Sequence, residues 1–143
     1  MNGEDYWSED GGTQIRQKKW LAYTDGEDEA VMGSLSGWYS KKGEELLEQE
    51  MVASVRPGPE GELFLELQST LTPKGNRVIF EQSNFGLLAV RVASGIASYW
   101  GDGKITSSDG GKGESEIFGQ SAAWMDYSGA VAQSQNGKRM IIT

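Results

Sequence analysis

The sequence predicts an all-β protein, an antiparallel β-sandwich of about eight strands. Three observations predict it. Glycine stands at 20 of 143 residues, about double its usual share, so tight turns are frequent. Between the glycines, apolar residues recur at alternate positions, which is the period of a strand. Clusters of turn-forming residues, such as PGPEG at 57–61 and TPKGN at 72–76, punctuate these stretches. The length suffices for the core of one immunoglobulin-sized sandwich, and residues 1–143 read as a single domain.

Taken in order, residues 1–12 are acidic and irregular, with Tyr6 and Trp7 as apolar anchors that pack as a lid on the core. Residues 13–23 form a first strand, and Lys18 and Lys19 mark it as an edge. TDGEDE at 24–29 is a turn. Its carboxylates suit calcium, but their spacing fits no EF-hand loop, so no metal site is assigned. Residues 31–40 alternate well, and Lys41, Lys42 and Gly43 make a hairpin turn. EELLEQE at 44–50 has helical propensity, yet a helix there would have to end within about two turns. Residues 46–56 are therefore mostly strand, with Met51, Ala53 and Val55 inward. The cleanest strand is 62–71. Leu63, Leu65, Leu67 and Leu71 share one face, and Phe64, Glu66, Gln68 and Thr70 form a wet one. Residues 77–82 are the next strand, and 82–86 link to another at 87–93. A short strand at 96–100 ends at Gly101-Asp102-Gly103. Residues 104–119 are mostly loop, 121–127 close the core, and 138–142 begin a final strand. No internal repeat or low-complexity segment is present.

Composition excludes several functions. The net charge of −8, from 21 acidic and 13 basic residues, argues against nucleic acid or an anionic membrane as partner, since both require basic patches. Cysteine and histidine are both absent, which removes disulfides, thiolate metal sites and the commonest general base and metal ligand. No cofactor is called for. No apolar run approaches the roughly 18 residues of a membrane span, and the first ten residues lack the pattern of a signal peptide. The compartment stays open.

The chemistry concentrates between residues 84 and 129. Arg91 sits among small apolar neighbours at 87–93, and Asp126 among small and aromatic ones at 121–127. A charge on such a strand needs a partner, so the two either satisfy each other or share a ligand. The guanidinium of Arg91 suits a carboxylate or paired sugar hydroxyls. Trp100 and Trp124 either pack in the core or stack on a sugar ring. Asp126 and Tyr127 beside Trp124 would set hydrogen bonding next to that stacking. The loop acids Asp109, Glu114 and Glu116 could supply the carboxylate pair of glycoside hydrolysis, or be solvated only. No phosphate-binding loop is present, because the glycines around Asp109 lack its lysine and its helix.

Three separated motifs carry a resemblance. They are Phe85 and Gly86 with VRVA at 90–93, SDGG at 108–111 with Gly113 and Glu114, and Trp124 with DYSG at 126–129. In this order they resemble a bacterial β-sandwich family labelled PmoA-like, or "methane oxygenase", related to the galactose-mutarotase-like supersandwiches. Weaker similarity reaches back to NGEDYW at 2–7. The resemblance implies a supersandwich truncated at both ends, the middle of a protein roughly twice this length. It also implies a parent that handles carbohydrate, with Arg91, Trp124 and Asp126 lining a cleft and the Asp109 loop covering it. Members of the family are often exported. Oxidation at copper or iron and mutarotation both need histidines, which in the family would lie before and after these residues. This stretch alone is therefore expected to turn nothing over. The alternative reading is a structural or interaction module.

Overall fold

The computed structural model describes residues 1–75, 77–82, 86–130 and 138–142, the last five as backbone. Asn76 of the expected turn, residues 83–85 of the expected link, Phe85 of the resemblance motif and Thr143 lie outside the described residues. The protein is all-β, as the sequence predicts, with seven strands among the described residues instead of about eight. The chain divides into two compact units, Met1–Asn84 and Phe85–Thr143.

The first unit is a four-stranded antiparallel meander in the order β1-β2-β3-β4: β1 Gln14–Asp25, β2 Ala30–Tyr39, β3 Glu45–Pro57 and β4 Leu63–Pro73. All four are strands the sequence predicts, although alternation in β1 is poor. The helical propensity at 44–50 loses because Leu47 is only 1% exposed, while β2 and β4 pair with β3 on both sides. Burying that leucine is worth about 1.5–3 kcal/mol. The β2–β3 turn is fixed at Ser40. Its Oγ accepts the amides of Lys42 and Glu44, at 3.3 and 3.2 Å, and Gly43 takes the left-handed conformation at φ 80°.

Register divides the sheet into two unlike faces. On one, Lys18 Nζ donates to Glu45 Oε1 at 2.8 Å and Glu48 Oε2 at 2.9 Å, and Lys74 Nζ reaches Glu48 Oε1 at 3.2 Å. Lys18 is the extra residue of a bulge between Gln17 and Lys19, which re-aims its side chain. It spans β2 at Gly37, where an added Cβ would meet Tyr39 and Glu45 at 2.8–2.9 Å. The hydrogen bond from Lys18, and then that from Lys74, holds the Glu48 carboxyl below its ordinary range. The other face is apolar. Trp38, Gln49 and Ser69 link three strands across it: Trp38 Nε1 donates to Gln49 Oε1, and Gln49 Nε2 to Ser69 Oγ, both at 2.9 Å. Tyr6 of the N-terminal segment packs on Trp38 with ring centroids 4.9 Å apart, so the expected lid is formed by Tyr6, while Trp7 is exposed.

Three expectations are corrected in this unit. β4 is wet on both faces, with Leu63, Leu65 and Phe64 all more than half exposed, because it is an edge strand flanked by β3 alone. Val55 likewise is exposed, and Met51 and Ala53 are only half-buried. Residues 77–82 are not a strand. They run along Asn2 instead, whose Oδ1 accepts the Ile79 amide at 2.7 Å and whose amide donates to the Ile79 carbonyl at 3.0 Å.

The second unit holds a three-stranded antiparallel sheet in the order β5-β6-β7, with β5 Lys104–Ser107, β6 Met125–Gly129 and β7 Lys138–Ile142. A single helical turn, α1 Glu114–Ile117, follows β5, and Ile96, Ile105 and Ile117 are its buried apolar residues among those described. Here several expectations are corrected. Residues 87–93 are not in a strand; they are largely exposed and pair with no described strand. Residues 96–100 fold instead as the end of a 3-10 turn, Ser94–Ile96, and a following bend. The expected loop at 104–119 contains β5 and α1, and β6 starts at Met125 rather than at 121. The 3-10 turn lies against glycine backbone. An added Cβ on Gly103 would strike the carbonyl of Ile96, and one on Gly129 the carbonyl of Gly95. Side chains at those positions would push the turn away.

Candidate functional site

The site is built on that close approach. Because the Ser94–Ile96 turn is pressed onto Gly103 and Gly129, the chain that follows it emerges beside β5 and β6. The Gly103 amide donates to the Ala97 carbonyl at 3.0 Å and pins the bend, so that Ser98, Tyr99 and Trp100 stand out from it. Tyr99 and Trp100 meet edge to face at 4.5 Å and are 67% and 84% exposed. Two exposed neighbouring aromatic rings are costly in water unless something else uses them.

They border an open hollow of about 840 Å³, lined among others by Arg91, Ser98, Tyr99, Trp100, Glu114 and Tyr127. Glu114 is set by α1, and its Oε1 accepts a hydrogen bond from Ser98 Oγ at 3.0 Å. Tyr127 enters from β6. A second hollow of about 340 Å³ shares Ser98, Tyr99 and Glu114 and adds Lys104 and Lys112. One cation, one carboxylate and three aromatic rings thus surround a single open space. That set can hydrogen-bond hydroxyls and stack on an apolar ring face.

Of the residues singled out by sequence, Arg91, Trp100 and Tyr127 come together here. The others lie elsewhere. Asp126 precedes Tyr127 on β6, so it alternates to the opposite side of the strand, where it is buried. Arg91 is not on a strand, which removes the expected pair of neighbouring strands presenting opposite charges. Trp124 precedes β6, is partly exposed and is not among the lining residues; its carbonyl accepts the Ser108 amide at 3.1 Å. Asp109 is in the turn after β5, where its Oδ1 accepts from Ser108 Oγ at 3.2 Å. Ser108 Oγ also accepts the Ala123 amide at 2.8 Å, so this part of the SDGG motif ties the turn to the start of β6. Sequence reasoning missed Tyr99, whose one signal was its place beside Trp100. It weighed Glu114 only as a loop acid; the four-residue turn that aims it is too short to show a helical period.

No curated protein and no solved structure matches the chain. A family model does match, and it spans residues 1–142. The β-rich fold agrees with the sequence reading, and the chain belongs to a family described as being of unknown function, DUF6807.

Proposed function

We propose that the second unit binds saccharide in the hollow beside Arg91, and that the chain is a PmoA-like relative of the mutarotase-type supersandwiches that binds without turning its ligand over. The observation that carries this reading is the pair Tyr99 and Trp100, both mostly exposed, at the rim of a hollow that also holds Arg91 and Glu114. A pyranose has an apolar face and a belt of hydroxyls. An aromatic rim takes the first, and a guanidinium with a carboxylate takes the second, since Arg donates and Glu accepts. Histidine and cysteine are absent from the sequence, so the usual proton shuttle for mutarotation has no candidate among these residues.

Calorimetry of the 143-residue chain against a panel of neutral and acidic oligosaccharides tests the reading. At least one is expected to bind, with Trp100→Ala and Arg91→Ala each weakening it by about tenfold or more. Trp124→Ala is expected to leave the affinity unchanged. Absence of binding across the panel, or equal affinity in the Trp100 and Arg91 variants, would reject it. A second reading, as a non-catalytic interaction module, is favoured by the apolar face of the first unit.

A further inference from the structure

The apolar face of the first sheet is the largest feature that saccharide binding leaves unused. Cross-strand partners point to the same side of a sheet, so the register sorts the residues without ambiguity. Tyr23 pairs with Met32, Met32 with Ala53, and Ala53 with Leu67; Ala30 pairs with Val55, and Val55 with Leu65. Trp20 joins them through Ser34, and Leu63 precedes Leu65 by one strand period. Tyr23 is 76% exposed, Leu63 74%, Leu65 63% and Trp20 57%, and Met32 and Leu67 are exposed as well.

Three properties of this face define what fits it. Its open apolar area is on the order of 700–900 Å², given that one large aromatic side chain alone carries 150–250 Å². That is close to the roughly 800 Å² a standard interface takes from each partner, and above the roughly 300–600 Å² of the largest patch on a typical monomer. Next, the register places one charged residue of these strands on it, Asp25 opposite Ala30 at the end of β1, while the row from Tyr23 across to Leu67 carries none. Arg16, Lys18, Glu45, Glu48 and Glu66 lie on the other face or above it. Finally, three polar side chains at its Trp38 end are already joined to one another, from Trp38 to Gln49 to Ser69. Covering them strands no donor of that chain.

We propose that this face takes the same face of a second copy of the chain, giving a two-fold dimer whose two four-stranded sheets pack into a sandwich. A largely apolar sheet needs a largely apolar sheet opposite, spaced about 10 Å away and turned by about 30°. The chain itself supplies one. A two-fold axis makes such a patch complementary to itself. Of the first unit's ionic side chains, those of Lys18, Glu45, Glu48 and Lys74 turn away from the seam, and Asp25 lies at its border, at the end of β1. The saccharide hollow is lined by the second unit alone and plays no part in this contact.

Sedimentation velocity over a dilution series, combined with hydroxyl-radical footprinting, tests the proposal on the whole chain. A dimer is expected at micromolar concentration, with Trp20, Tyr23 and Leu65 protected in the dimer and labelled on dilution. Leu65→Lys is expected to weaken dimerisation by about a hundredfold or more, because it sets an unpaired charge in an apolar seam. Far-UV circular dichroism reports whether that variant keeps its sheet. If it does not fold, the footprint of the wild-type chain decides alone. Three results overturn the proposal: a monomer at every concentration with these side chains labelled, a monomer with them protected by the chain itself, or a dimer in which they stay labelled.

Discussion

Lys18 shows how one residue acts through a local irregularity. Its bulge turns the ammonium over Gly37 toward Glu45 and Glu48, and both hydrogen bonds push the Lys18 pKa up. The reciprocal effect on Glu48 has a definite sign. A carboxyl held below its ordinary value favours the folded state above that value, and the advantage is lost as pH falls through the depressed one. Asp5 behaves alike, lowered first by the Trp7 amide and then by Ser8. Glu48→Gln is therefore expected to lower the melting temperature slightly near neutral pH and to flatten its decline on the acid side. The two curves should converge in strong acid. Thermal melts across the acid range check this, and parallel curves would contradict it. The sequence showed Lys18 as an edge lysine, but not its partners, because a bulge cannot be read from alternation. For the same reason Arg91 was placed on a strand. Alternation at 87–93 is real, but alternation without a neighbouring strand to pair with makes no sheet.

At the scale of elements, the long strands β1 to β4 were legible, and so were the short ones at 125–129 and 138–142, whereas β5 was not. β1 to β4 run 10 to 13 residues each, and their pattern outweighs local propensity even at 44–50. β5 spans four residues and lies between glycines, so its period is too brief to register. What shapes the second unit is glycine acting as absent volume. Gly129→Ala would drive a methyl group into the carbonyl of Gly95, which is backbone and cannot swing aside. The expected loss is about 1–3 kcal/mol or more in denaturant titration, with faster amide exchange in β5 and β6. Gly110→Ala meets no atom within 4 Å, and strains only its left-handed φ of 85°, at about 1–2 kcal/mol. Equal costs at the two positions would show that close approach to the 3-10 turn is not what glycine serves at 129. The bend after that turn carries Tyr99 and Trp100, so the hollow they border depends on glycines that do not line it.

For the molecule as a whole, buried apolar side chains are few. Among the described residues they are Trp38 and Leu47 in the first unit and Ile96, Ile105 and Ile117 in the second. Cores this thin leave stability dependent on what covers the remaining apolar surface. If two copies share the β1–β4 face, mass action ties stability to concentration. The melting temperature is then expected to rise with protein concentration in wild type and to stay constant in Leu65→Lys. Calorimetric scans at several concentrations check this. Composition had already indicated an acidic, all-β chain. It could not indicate the uncovered face, because the 62–71 pattern reads the same whether its leucines meet a second sheet or open water.

The two borders of the first sheet are also unlike. β1 breaks step twice, at Lys18 and at Leu21, whereas β4 pairs with β3 over its full length without a slip. A stray extended segment cannot zip along a rim whose spacing changes, but it can along one that keeps time. Growth into a cross-β fibre would therefore start from β4 and advance in one direction only, and a proline set into β4 would be the place to stop it.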